Sequence, residues 1–317
     1  MGMDYTAVNT NLVRAELWSD QIKEILQDSL AATKYVRWLS GFPDGNQFTI
    51  PSIGEIPMRE TAETVDVVYD AIDTGEFNFT IDRYVESATF ITDKAKQDAY
   101  YADQLIAGFV PKMRRALEEN METSVLALAR SQTLSDANTI NGAAHRFVAS
   151  GDTNTTLALA DFAKAKYSLD KAAVTGSRIA IIDPSQEYVL NVLSNIVSVS
   201  NNPRFEGIVN TGFVNDVTGM AFIKNIYGFD VYVSNYLPVQ AAETIGGTAS
   251  ATTTVNNIFM GFGGDVTPFV GAYRQMPRVE FERNKDKRRD EYVMNARFGL
   301  KLYRPESMVV ALSKNSI

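Results

Sequence analysis

The chain has 317 residues, a formal net charge of −8, no cysteine and a single histidine, His145. These counts exclude a disulfide framework, a thiolate metal site and a cysteine nucleophile, and they remove nearly every familiar histidine-based metal or acid–base constellation. The acidic balance argues against a dedicated nucleic-acid binder, since affinity for phosphate comes largely from Lys and Arg, and the length allows about two domains with a substantial core.

Residues 1–46 read as an arm. Trp18, Ile22, Ile25, Leu26 and Leu30 recur at helical spacing, and Tyr35, Val36, Trp38 and Leu39 form a second apolar cluster. Such an arm packs either on its own domain or on a neighbour. Its acidic polar face (Glu16, Asp20, Glu24, Asp28) speaks against a membrane role.

From residue 47 to 92 the apolar period changes to two. Phe48 and Ile50 alternate with polar residues, and the run FNFTIDRYVESATFI places Phe77, Phe79, Ile81, Val85 and Ile91 on one face. The two stretches predict an extended two-stranded loop with a single fifteen-residue second strand, about 50 Å long at ~3.3 Å per residue. Its tip carries Glu60, Glu63, Asp66, Asp70, Asp73 and Glu76 against Arg59.

The segment from Asp93 to Leu134 predicts one long amphipathic helix, kinked or broken at Pro111. Ala95, Ala99, Ala102, Ile106, Phe109, Met113, Leu117, Met121, Val125 and Leu128 form its stripe, and Lys112, Arg114, Arg115, Glu118, Glu119 and Glu122 its polar face. At ~1.5 Å per residue the part after Pro111 alone is about 30 Å long. Residues 135–154 read as loop with a short strand at Ala143–Val148, and His145 is expected there as a partly exposed, structurally neutral residue.

A mixed α/β module begins near Thr156. Leu159, Phe162, Leu169 and Ala173 predict a helix, Arg178–Asp183 a buried strand, and Asp183-Pro184 with Gln186 a helix start with cap, first-turn proline and third-position glutamine. Tyr188, Val189, Val192, Leu193 and Ile196 follow at helical spacing. Met220–Ile223 and Phe229–Val233 predict strands separated by Gly228, and Ala241–Asn257 a flexible surface loop or turn region. Ile258–Phe262, Val279–Arg283, Tyr292–Tyr303 and Met308–Leu312 predict one closing sheet.

No GxSxG, GxxxxGK[ST], HExxH or GxGxxG occurs, and no pair of carboxylates sits in an apolar setting. No catalytic, cofactor-binding or metal site is expected, and a cytosolic α/β enzyme is the remote alternative.

The order of parts resembles the major capsid protein of tailed bacteriophages, a fold shared with encapsulins and herpesvirus capsid floors. The residues that carry the likeness are ALEENMETSVLALA (Ala116–Ala129), TLALADFAKAKYSLDKAAV followed by RIAIIDPSQEYVLNVL, GFVNDVTGMAFIKNIYGFDVYVSNYLP (Gly212–Pro238) and FGLKLYRPESMVVAL (Phe298–Leu312). The resemblance implies an α+β fold. Its parts would be an N-terminal arm (1–46), an extended loop (47–92), a peripheral domain with the spine helix (93–155) and closing sheet (262–317), and an axial domain (156–261).

It further implies hexamers and pentamers in an icosahedral shell that encloses double-stranded DNA without sequence-specific binding, with a portal protein at one vertex and room for a cement or decoration protein. The chain opens on the arm, where some members carry a cleaved scaffolding segment, so a separate scaffolding protein is expected. With no secretory signal and no membrane span, assembly is expected in the host cytoplasm and the mature location in the virion capsid. An encapsulin shell is the nearest alternative. Contacts between subunits are assigned to Trp18, Ile22 and Trp38 of the arm, to Arg59, Glu60, Glu63, Asp66, Phe77 and Phe79 of the loop, and to Arg283, Lys285, Arg288 and Arg289 of the charged run near the end.

Overall fold

A computed structural model describes residues 32–40, 47–53, 58–60, 63, 66, 69, 74–98, 102–131, 137–192, 214–215 and 221–316. A 3-10 turn at Ala32–Tyr35 leads into β1 (Val36–Leu39), followed by β2 (Gln47–Ile53), β3 (Thr74–Thr80), β4 (Arg83–Thr92), α1 (Asp93–Asp98) and α2 (Ala102–Ala127). Then come β5 (Thr139–Ile140), β6 (Ala143–Ala144), β7 (Arg146–Val148), α3 (Leu159–Lys171), β8 (Ser177–Ile182), α4 (Pro184–Val192) and β9 (Val214–Asn215). The remainder is almost all strand: β10 (Ala221–Ile226), β11 (Phe229–Val233), β12 (Val239–Ala241), β13 (Thr244–Ile245), β14 (Thr248–Ala249), β15 (Thr253–Phe262), β16 (Phe269–Asn284), β17 (Arg289–Leu302) and β18 (Met308–Lys314). The fold is α+β.

The larger sheet runs β7-β18-β15-β8-β11-β10-β9, with β12 paired to β15. Its central strands are apolar at nearly every position because both faces are covered. Ile179 and Ile181 of β8, Ile258 and Met260 of β15, and Met308, Val310 and Leu312 of β18 face one core, together with Val125, Leu126 and Ala129 from the end of the spine. Their neighbours Ala180, Ile182, Phe259, Val309 and Ala311 face the other, beneath Phe162, Ala165 and Leu169 of α3 and Leu190 of α4. Phe162, Phe229 and Phe259 meet edge to face there, with ring centroids 5.1–6.5 Å apart. Tyr227 (φ 50°) and Gly228 (φ 86°) are the two left-handed residues that join β10 to β11.

Most of the sheet's buried polar groups are paired, Asn256 Oδ1 and Arg146 Nε being exceptions. Asn257 donates to the Ala311 carbonyl (3.1 Å) and to Ser313 Oγ (2.7 Å), while its own oxygen accepts from the Asp183 N–H. Gln186 does not close a capping box as its position predicts. It is fully buried, accepting from Leu157 N–H and donating to the Lys314 carbonyl. On α4 the core residue is Leu190, whereas Tyr188 and Val192 are exposed, and Leu193 and Ile196 lie outside the described residues.

The smaller sheet runs β1-β16-β17-β4. It corrects two sequence expectations. The fifteen-residue strand is two strands: β3 pairs with β2, then the chain changes partner at Ile81-Asp82 and β4 pairs with β17. The single closing sheet is also two, since β15 and β18 pair with each other in the larger sheet while β16 and β17 form a hairpin of their own. That hairpin is the long antiparallel pair of the molecule, about 50 Å at ~3.3 Å per residue.

Across β17 and β4 lies α2, with Met121 and half-buried Leu117 against Ala296, Phe298 and Val85. The helix runs through Pro111 without interruption; Pro111 is on its exposed face, where water can satisfy the carbonyl left without a donor. Glu122, expected on the solvent face, is fully buried. The last turns of α2 run into the core of the larger sheet, where Val125 and Leu126 are fully buried, while Thr123 stays exposed.

Two loop expectations also change. Residues 241–257 form β13, β14 and the start of β15, with Thr254, Asn256 and Asn257 buried. His145 is fully buried between β6 and β7, its Nδ1 3.1 Å from the Ala143 carbonyl, and burial pushes its pKa below the usual 6.5.

Candidate functional site

The candidate site is a set of projecting surfaces rather than a pocket. The first is the ribbon of β2 and β3, seven residues each, in the register Phe48 opposite Phe79 and Ile50 opposite Phe77. Its base is anchored in its own chain. Phe79 is fully buried with Ile81, Val270 and Ala272, and half-buried Phe77 stands edge-on to Tyr303 at 4.9 Å. Lys301 lies over the Phe77 ring and donates to the Asn78 carbonyl at 2.6 Å. Gly299 lets the ribbon cross β17 closely, since a Cβ there would stand 2.7 Å from the Thr80 carbonyl oxygen. Among the described residues the ribbon's outer edges have no strand partner. Beyond β2, Met58, Arg59, Glu60, Glu63, Asp66 and Tyr69 are all exposed.

The second surface is the distal part of the β16–β17 hairpin. The first four residues of β16 are buried, whereas Met276 (69 % exposed), Val279 and Phe281 (60 %) project beside α2. Of the charged run at its tip, Arg283 pairs with Asp93 (2.8 Å) and Asp290 (3.2 Å), and Arg289 pairs with Glu291 (2.6 Å) and covers the Phe90 ring. The Arg288 carbonyl accepts from Asp93 N–H, and Arg288 adopts the left-handed turn conformation at φ 48°. Lys96 bonds Asp290, which holds that carboxyl below its usual range. Lys285 is exposed.

Trp38 is stacked on Tyr273 at 4.4 Å within its own chain; Trp18 and Ile22 lie outside the described residues. The structure thus brings Phe77, Phe79 and Trp38 onto the smaller sheet, and leaves Arg59, Glu60, Glu63 and Asp66 projecting at the far end of the loop. Sequence reasoning missed the exposed apolar row Met276, Val279 and Phe281, since only Val279 and Phe281 alternate and Met276 precedes them across an irregularity of register.

A shallow cleft lies beside Asp183, lined by Ser185, Asn235, Leu237 and Asn315. The Asp183 carboxylate is occupied in capping α4, accepting from Ser185 N–H (2.9 Å) and Ser185 Oγ.

Solved structures share this fold along almost the whole chain. A Mycobacterium phage Che8 chain is similar at TM-score 0.66 and 17 % identity, covering 95 % of this chain and 97 % of that one. A chain of the cyanophage P-SCSP1u capsid gives 0.71 and 16 %, covering 95 % and 93 %. One from the bacteriophage PhiM1 mature capsid gives 0.66 and 12 %, covering 96 % and 93 %. No curated protein sequence matches significantly. The fold is that of the tailed-phage major capsid proteins. The family model described as phage capsid protein matches residues 73–311, and the chain belongs to that family. It is a structural protein of the virion capsid whose copies form the shell.

Proposed function

We propose that the subunits assemble as hexamers and pentamers into an icosahedral shell that encloses double-stranded DNA of a tailed phage. The observation that carries this reading is the pair of projections, ribbon and hairpin, whose apolar and acidic ends find no cover among the described residues of one subunit. Many such contacts, each weak, sum over a closed lattice. The five-part division into arm, extended loop, peripheral and axial domains fits this role, with β7 and β18 hydrogen-bonded into the sheet of the axial segment. A net charge of −8 suits a wall that neither condenses nor retains the genome. In this reading assembly needs a separate scaffolding protein, a portal occupies one vertex, a cement protein is optional, and the subunit catalyses no reaction.

The test is deletion of residues 58–73. The subunit should fold and remain soluble, because the base of the ribbon is untouched, yet electron microscopy should show no closed shells. Normal shells from the deletion would remove the loop's assigned role. Nuclease-protected DNA in native particles, rather than a packaged enzyme, separates this reading from an encapsulin.

A further inference from the structure

The sequence holds one Asn-Gly step, Asn141-Gly142, and the fold sets it at the tip of the β5–β6 hairpin, where both residues are exposed. Ile140 pairs with Ala143, so these two residues are the whole loop, with φ of 50° and 77°. A two-residue loop that is left-handed at both positions selects Asn-Gly, since Asn tolerates that conformation and glycine has no Cβ to oppose it. The same step is also chemically labile. The backbone nitrogen after an asparagine can attack its side-chain carbonyl carbon, and glycine leaves that approach open.

The ladder of so short a hairpin joins Ile140 to Ala143, which leaves the Gly142 N–H outside it. A Cβ built on Gly142 meets nothing within 4 Å, so a five-membered ring has room to form. Asn141 Nδ2 donates to the Lys171 carbonyl at the end of α3, but at 3.2 Å, long for such a bond and open to water. β5 and β6 have two residues each, and a hairpin that short opens readily. Asn154 supplies an internal contrast. It is exposed and left-handed (φ 66°) like Asn141, yet it is followed by Thr155, whose branched Cβ crowds the attacking nitrogen.

We propose that Asn141 is a site of self-modification, at which the folded subunit loses a side-chain amide and gains a carboxylate. The Gly142 nitrogen gives up its proton and bonds to Asn141 Cγ, and the side-chain nitrogen leaves as ammonia. Water then opens the cyclic imide at Cγ to give aspartate, or at the backbone carbonyl to give isoaspartate. One water is consumed, one ammonia is released, and no other reactant is needed. The new carboxylate cannot donate to the Lys171 carbonyl, and it stands against the negative end of α3. The Lys171 ammonium lies 6.0 Å over the Tyr167 ring and offsets that charge only by leaving the ring. The isoaspartyl form also lengthens the backbone of a two-residue turn. Of the two bonds to α3, only that from Ser168 Oγ to the Ala144 carbonyl (2.7 Å) survives, so the hairpin loosens. A virion subunit is not replaced, and the change therefore accumulates with the age of the particle.

The wild-type, full-length subunit is kept folded in mildly alkaline buffer and digested at acid pH, and mass spectrometry reads the amide-to-acid conversion at each asparagine. Conversion at Asn141 should run roughly tenfold faster than at Asn154, the difference being the crowding at a branched Cβ. Equal rates, or no conversion at Asn141, would overturn the site. In Asn141→Asp, hydrogen exchange should quicken across residues 139–144 while β15 and β18 keep their protection. Unaltered exchange at 139–144 would overturn the release of the hairpin. Should that variant fail to fold, the aged wild-type chain serves the same comparison.

Discussion

The two sheets of this subunit are finished to different degrees. The larger one is covered on both faces by its own chain, most of its buried polar groups are paired, and its central strands alternate between two separate cores. The smaller one is covered by α2 over part of it and by Phe79 and Ile81 at the ribbon's base, while Phe281 of the hairpin, Phe90 of β4 and Tyr69 beyond the ribbon stay exposed. A protein that had only to fold would gain by burying those residues. The first sheet therefore supplies stability to the single subunit, and the second supplies surface to the assembly.

Alanine substitutions of equal chemistry sharpen that contrast. Phe259→Ala removes a ring buried against Phe162 and Phe229, and should cost about 3–5 kcal/mol of subunit stability in denaturant unfolding. A smaller effect is expected from Arg146→Ala. The buried Arg146 guanidinium grips Glu243 with two hydrogen bonds, Gln240 supports the same carboxylate, and together they tie the β13–β14 hairpin to β7. Since Glu243 is about a third exposed, the loss should be nearer ~3 kcal/mol, the low end for a broken buried pair. Phe281→Ala should change subunit stability by no more than about 0.5 kcal/mol while reducing the yield of shells; a large stability loss there would break the comparison.

The last prediction concerns pH. His145 is buried with its pKa pushed down, so the folded state binds its proton less readily than the unfolded chain. Its stability contribution is complete above the usual value of 6.5 and is lost as pH falls from there through the lowered folded value. A His145→Gln variant should lack that step in a plot of unfolding free energy against pH, and an unchanged plot would assign the acid sensitivity elsewhere.

The lesson of sequence against structure follows the same division. RIAII, NIFM and MVVAL announced themselves as strands because burial on two faces leaves an uninterrupted apolar run, and α4 began where Asp183-Pro184 said it would. The Arg114/Glu118 and Arg115/Glu119 pairs on the spine form as their spacing requires. Much less could be read where the partner of a segment lies far away in the chain. The phase of FNFTIDRYVESATFI is continuous, so nothing local shows that β3 belongs to the ribbon and β4 to a hairpin two hundred residues on. Residues 241–257 have the composition of a loop, yet Thr254 and Asn257 are buried because β18 and β12 arrive on either side of β15. His145 and Glu122 carry the side chains of a surface and are enclosed by elements distant in sequence. By itself the sequence determined element types, the spine, the acidic projecting loop and the absence of a familiar catalytic motif, since these rest on local periodicity and residue chemistry. Strand partners, the split into a closed and an open sheet, and the exposed apolar row beside α2 were decided only in the tertiary structure, because each depends on which distant segment comes to cover an apolar face.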